Sequence, residues 1–290
     1  MAGALSQAEL DTLVAQFAAP DPSLTRYCRS VMAWNGTTGE HSTSQAQGGY
    51  ADLFVWRNLF SRLTARGEKA FYVDSGANQA VKGSNTFFFD RCLGWHGLCV
   101  EAGSRYQHEL HKKRTCTIIP ECLADREMSL EFWAAGAKGG LNSSAVAWNG
   151  HKVKPTRVPC NTLESMLARV PPRKRVGSPG GRPQVAFWSL DVEGFELRVL
   201  RAVPWAQLDV RAILVEDGAF DMREMDDVMN HAGFVKAHQM ALDSLYVARA
   251  HASTLLPAGE FWYPPGFHTA VADMRSDQKR GTAYVPPVVL

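Results

Sequence analysis

The stretch "KAFYVDSGANQAVKGSNTFFFDRCLGWHGLCVEA", residues 69–102, sets the rhythm of the chain. An apolar run (69–74) ends in Asp74, and a turn carrying Gly76 follows. Residues 84–95 have helical spacing, and a second apolar run (97–102) ends in Glu101. Strand, turn, helix, strand is the repeating unit of a parallel sheet.

The alternation continues downstream. "SRYQHELHKKR" predicts a helix and "TCTIIP" a strand, with "SLEFWAA" and "SAVAWNG" as short extra strands. "TLESMLARV" predicts a helix capped by Asn161. "VAFWSLDVEGFELRVL" (185–200) is a buried strand running into a helix, and "VRAILVED" (210–217) is another strand. "DMREMDDVMNHAG" predicts a helix with Met222, Met225 and Met229 on its core face, and "FVKAHQM" with "DSLYVAR" a closing hairpin. The expected fold is α/β: a doubly wound, mostly parallel sheet in three layers, with an antiparallel edge.

Around this domain (69–250) the sequence predicts an N-terminal cap (1–68) and a C-terminal extension (251–290). Ser6 and Glu9 have capping-box spacing before Leu10, Leu13, Val14 and Phe17. Residues 34–49 form a polar loop, and Leu53, Trp56, Leu59, Phe60 and Leu63 make one apolar helical stripe. The basic, Pro/Gly-rich stretch 171–183 is a solvated loop. The tail is proline-rich and weakly periodic; it wraps the domain or joins a second copy of the chain.

At 290 residues and 46% hydrophobic content the composition is that of an ordinary globular protein. A net charge of +2 gives no field for nucleic acid or an anionic membrane. No stretch reaches the roughly 18 apolar residues that span a bilayer, and no secretory address is expected from the first residues. Six cysteines without a C-x-x-C pair predict small buried thiols rather than a zinc site, in a reducing, cytoplasmic compartment.

Ligands of open α/β sheets bind beyond the carboxyl ends of the strands. Asp74 with Gly76, then Glu101 placed for ribose hydroxyls, form a nucleoside-binding arrangement. A dinucleotide would want G-x-G-x-x-G and would be repelled by Asp74, and no G-x-x-x-x-G-K-[ST] stretch occurs. The cationic S-adenosylmethionine (SAM) suits these acids better. Asp191, at the end of the fourth strand and on the far side of the switch point, faces the methyl group, the ammonium or the acceptor. Glu196 is read as an acid compensating the helix dipole, and Glu193 is open between a helix-start acid and a catalytic one.

The combination of D-x-G-A-N (74–78), S-N-T (84–86), G-W-x-G-L-C-V-E (94–101) and S-L-D-V-E-G-x-E (189–196) resembles the FkbM-type methyltransferases of class I. The resemblance extends from about Ser44 to about Arg249. It implies a Rossmann-like sheet of seven strands with SAM across the switch point. By that carry-over Asp74, Gly76 and Asn78 line the methionine side, with Ser84 and Asn85 near the next helix start. Glu101 holds the ribose, and Glu121 with the Cys122 backbone meets the adenine, Asp125 being the alternative. Gln45 and His41 fall in the segment that lies near the active-site mouth, and His41 is a candidate base.

Methyl transfer to a hydroxyl needs alignment and removal of a proton. Asp191, Glu193 and Glu216 are the acid candidates for that chemistry. Asp191 with Glu216 and Asp217 is also similar to the Mg²⁺ site of catechol-type O-methyltransferases, in which oxygen ligands hold the ion. The acceptor is expected to be a small molecule or glycoside, methylated on oxygen. Transfer to sulfur or nitrogen, an NAD(P)-dependent oxidoreductase and a non-catalytic SAM-fold binder are the alternatives.

Overall fold

A computed structural model describes residues 4–34, 50–133, 147–148, 151–152, 154–177, 181–218, 221–240, 242–257 and 259–263. The N-terminal helices are α1 (Gln7–Gln16), α2 (Thr25–Ala33), α3 (Ala51–Val55) and α4 (Ser61–Ala65), with a wide π-helical turn Trp56–Phe60 joining the last two. The Ser6–Glu9 capping box forms as expected.

The central sheet begins with β1 (Phe71–Ser75) and β2 (His96–Val100), followed by α5 (Ser104–Lys113) and β3 (Thr117–Ile119). Next come β4 (Cys122–Leu123), β5 (Met128–Phe132), β6 (Ala147–Trp148), β7 (His151–Lys152) and β8 (Thr156–Asn161). Then follow α6 (Leu163–Ala168), β9 (Val176–Gly177), β10 (Pro183–Leu190), α7 (Glu196–Ala202) and β11 (Asp209–Glu216). The described chain ends with α8 (Met222–His231), β12 (Phe234–Met240), β13 (Asp243–Ala248) and α9 (Arg249–Leu255).

The main sheet runs β12-β13-β11-β10-β1-β2-β3, with β9 added to β10. Neighbours from β11 to β3 are parallel, and β13 runs against both β11 and β12. This is the mostly parallel sheet with an antiparallel edge that the strand pattern predicts. Every residue of β1 is buried, as a strand covered on both faces requires. Period-two alternation divides it: Tyr72 joins the core shared with the N-terminal helices, Phe71 and Val73 the opposite core with Trp188 and Leu190. Outside the main sheet, β8 pairs parallel with β4 and antiparallel with β5.

Local expectations are corrected in five places. Residues 84–95 form no regular helix; a π-helical turn spans Phe88–Cys92, and Leu93 N–H reaches the Phe88 carbonyl at 3.1 Å. Phe87, Phe88 and Phe89 are all buried, so the segment packs around its circumference rather than along one stripe. The cap of α6 is Thr162, whose hydroxyl accepts the Ser165 N–H, while Asn161 donates to Glu121. Met225 and Met229 are buried on α8 but Met222 is 40% exposed at its first turn. Residues 51–61 are buried on all sides instead of along one face. The C-terminal segment covers their polar side: Asn58 exchanges two hydrogen bonds with the Trp262 backbone at 2.8 and 3.0 Å, and Arg57 lies over the Trp262 ring at 4.2 Å.

The fifth correction concerns the cysteines. All six are paired, as Cys28–Cys92, Cys99–Cys116 and Cys122–Cys160. The first ties α2 to the π-helical turn, the second links β2 to the residue before β3, and the third joins the register partners of β4 and β8. The free buried thiols expected from the sequence are thus paired. No helix among the described residues is long and apolar enough to cross a membrane.

Candidate active site

The strand order reverses between β1 and β10, whose carboxyl ends open a crevice. The two backbones are locked there. Asp191 N–H donates to the Ser75 carbonyl at 3.0 Å, and the following turn packs on Asp191 so closely that a Cβ on residue 76 would overlap its carbonyl. Gly76 also has φ +79°, so glycine is required on both counts. The crevice widens into a cleft lined by residues from the turn 76–78, the end of β2, segment 191–193, β4 and β5.

Glu101 stands just beyond β2 and is 6% exposed. Its Oε2 accepts the Asn78 N–H and its Oε1 the Gly103 N–H, both at 2.6 Å. Burial pushes this carboxyl up to about 7 in spite of those bonds. Asn78 has φ +45°, a left-handed conformation that Asn tolerates. Its Oδ1 is buried without a hydrogen-bond partner among the described groups. A Cβ on Gly103 would stand 2.8 Å from Glu101 Oε1, 3.3 Å from Tyr106 and 3.6 Å from Phe132. The missing side chain therefore lets an acid and two aromatic rings converge on one wall.

On the opposite wall Asp191 and Glu193 line the cleft. Burial, then the charge of Asp191, pushes the Glu193 carboxyl up to about 7. Glu196 opens α7 but does not face solvent: it is fully buried, and its carboxylate accepts the Val192 N–H at 2.6 Å and the Gly194 N–H at 3.0 Å. It does stand in the first turn of α7, where the dipole reading puts it, and its burial is what that reading did not foresee. Glu216, at the end of β11, is raised well above the carboxylate range by burial and by Asp191, to which it is hydrogen-bonded. Asp243 faces Glu216 across the β11–β13 ladder and is pushed up to about 8 by burial, then by Asp191. Its charge reaches Tyr50, whose hydroxyl is raised by burial and then by Asp243. Beyond Asp191 the strand ends thus form a basin of carboxylates.

Oxygens of Asp191, Glu196 and Glu216 lie within 4.8 Å of one another. Asp217 is not in that group. It is on the other side of its strand, accepting from Ser244 and, at 3.3 Å, from Gln239. Asp74 is likewise turned away from the cleft, into a buried network. Its Oδ2 accepts from Thr86 at 2.5 Å and lies 3.6 Å from the Arg114 guanidinium, which also binds Asp90 at 2.6 Å and Ser84 at 2.9 Å. Asn85 donates to Ser189 at 3.2 Å. Asp74, Ser84 and Asn85 therefore brace the ends of β1 and β10 from behind.

Glu121 and Cys122 do line the cleft. Glu121 is already held by Asn161 at 2.9 Å and Arg169 at 2.5 Å, and Cys122 by its disulfide. Asp125, the alternative, pairs with Arg198 at 3.1 Å outside the cleft. His41 and Gln45 lie outside the described residues. Sequence reasoning missed Tyr106, Phe132, Tyr50 and Asp243. Asp243 carried a signal, an acid opening the last strand of the sheet; the others carried none.

A strand order that reverses beside an acid-lined cleft is where open, mostly parallel α/β sheets bind their ligands. Residues 74–236, more than half of the 290-residue chain, match the methyltransferase FkbM domain, and the chain belongs to that family. No curated protein matches it. Among solved structures it is similar to the methyltransferase FkbM from Methylobacillus flagellatus KT, at 11% identity and a TM-score of 0.37. The likeness covers 83% of this chain and 58% of that one, so this chain spans less than two thirds of that structure's length.

Proposed function

We propose that the chain transfers a methyl group from SAM to an oxygen of a small-molecule or glycosidic acceptor. The observation that carries this reading is the Glu101 carboxylate, buried at the end of β2 with one N–H on each oxygen. Each oxygen keeps lone-pair capacity for a ribose hydroxyl. The rest of the cleft fits such a donor. Tyr106 and Phe132 are flat walls for an adenine. The unpartnered Asn78 Oδ1 suits an ammonium donor, and the carboxylates around Asp191 favour a ligand with net positive charge.

When bound, SAM supplies an electrophilic methyl on a good leaving group. Alignment of the acceptor falls to the two walls of the cleft, which contributes on the order of 7–11 kcal/mol in favourable cases. Glu193 has a carboxyl raised to about 7, matched to a general base working near neutral pH, and it takes the acceptor's proton. Asp191 stands between Glu193 and Glu216 and holds the negative field at the methyl-transfer end. His41 is the second candidate base. The expected Mg²⁺ set does not assemble, because Asp217 faces Ser244 and Gln239 instead of Asp191 and Glu216. No step uses a metal. The three disulfides support folding in an oxidising compartment.

Thermal unfolding with SAM, S-adenosylhomocysteine and NAD tests the reading. Either adenosyl ligand at about 100 times its dissociation constant adds about 2.7 kcal/mol of stability. A shift with NAD and none with SAM or S-adenosylhomocysteine overturns it.

A further inference from the structure

We infer that Glu196 is a positioning residue that fixes the segment bearing Asp191 and Glu193, and that binding of the adenosyl donor depends on it through that segment's shape. The second half of this inference rests on the donor reading above.

The segment 191–195 lies between β10 and α7 and has no ladder partner for its shape. Its first residue is anchored by the Asp191–Ser75 backbone bond and by the close packing on Gly76. Further along, Glu193 has φ +55° and Gly194 φ +100°, two successive residues in the left-handed half of backbone space. A glutamate is rarely found there, and such a conformation persists only where surrounding contacts over-determine it. The Glu196 carboxylate supplies those contacts by accepting the N–H groups on either side of Glu193, from Val192 and Gly194. The arrangement is akin to a capping box, in which an acid in the first helical turn reaches back to the chain before it. It is also buried among like charges, since Asp191, Glu193 and Glu216 surround it. The helix dipole alone does not call for a carboxylate with one oxygen on the Val192 N–H and the other on the Gly194 N–H, since both groups precede the helix. Held this way, the segment turns two carboxylates into the cleft instead of one.

Glu196→Gln tests this without changing volume. Its amide oxygen accepts one of the two N–H groups, and its NH₂ opposes the other. In the unliganded protein, the amides of Val192 and Gly194 exchange with solvent about tenfold faster in Glu196→Gln, with exchange elsewhere unchanged. The dissociation constant for S-adenosylhomocysteine rises about tenfold while the thermal midpoint stays at or above that of wild type, because a charge has left a crowded acidic cluster. A purely structural role lowers midpoint and affinity together. Gly194→Ala strains the same backbone with no change of charge and reproduces the loss of affinity. Wild-type exchange at Val192 and Gly194 in Glu196→Gln overturns the inference, whether or not donor binds. Fast exchange with wild-type affinity in both variants overturns its second half. Wild-type protein that fails to bind S-adenosylhomocysteine overturns the donor reading, and the exchange experiment still decides the role of Glu196.

Discussion

Carboxylates crowded at one end of the cleft make the unliganded protein sensitive to pH. Glu101, Glu193 and Glu196 are raised to about 7 and Asp243 to about 8, chiefly by burial, and Glu216 is raised with them. Folded-state values above the unfolded ones mean that the folded chain keeps protons the unfolded chain releases. The stability these acids contribute is complete below about pH 4 and is lost as pH rises through 7 to 8. Glu216→Gln abolishes a proton that the folded chain keeps and the unfolded chain releases, so it raises the thermal midpoint more at about pH 8.5 than at about pH 5.5. An equal effect at both pH values contradicts the proposed crowding. At this scale the sequence is informative where an acid directly follows an apolar run, as Glu101 and Asp191 do. Asp74 satisfies the same rule yet faces away, because its partner Arg114 lies forty residues downstream and only the folded chain brings the two together. The inward turn of Glu196 was hidden for a related reason, since it depends on the backbone angles of the residues before it.

Among the elements, strands were the most legible, because β1, β10 and β11 each carry a run of apolar residues buried on both faces. Helices whose packing is not one-sided were less so. The segment from α3 to α4 has Asp52, Arg57 and Asn58 buried beside its apolar stripe, and what buries its polar side is a C-terminal segment some two hundred residues away. Asn58 is the joint: its amide donates to the Phe54 and Trp262 carbonyls and its carbonyl accepts the Trp262 N–H. Asn58→Ala leaves the Trp262 N–H and carbonyl without their partner and lowers unfolding stability by about 2 kcal/mol, measured as the shift in urea midpoint at unchanged slope. A midpoint equal to wild type means that segment 259–263 does not hold the N-terminal cap.

For the whole molecule, topology and family were legible and the covalent cross-links were not. Pairing requires Cα atoms within about 4.4–6.8 Å. The observed separations of 5.5, 6.0 and 4.4 Å bridge 64, 17 and 38 positions of sequence, and they exist only once the sheet and its cap are assembled. Titration of the denatured, unreduced protein is expected to find no free thiol among the six cysteines, and reduction to lower stability by about 2–4 kcal/mol per bridge. Free thiols in protein purified from an oxidising host contradict the cross-linked fold. The central claim is that Glu101 holds the adenosyl donor of a methyltransferase. Its most direct test is calorimetric titration of SAM into wild type and Glu101→Ala. Saturable binding to wild type, weakened in the variant by about 3 kcal/mol or roughly a hundredfold, is the predicted result; equal affinity in the two proteins, or no binding to either, contradicts the account.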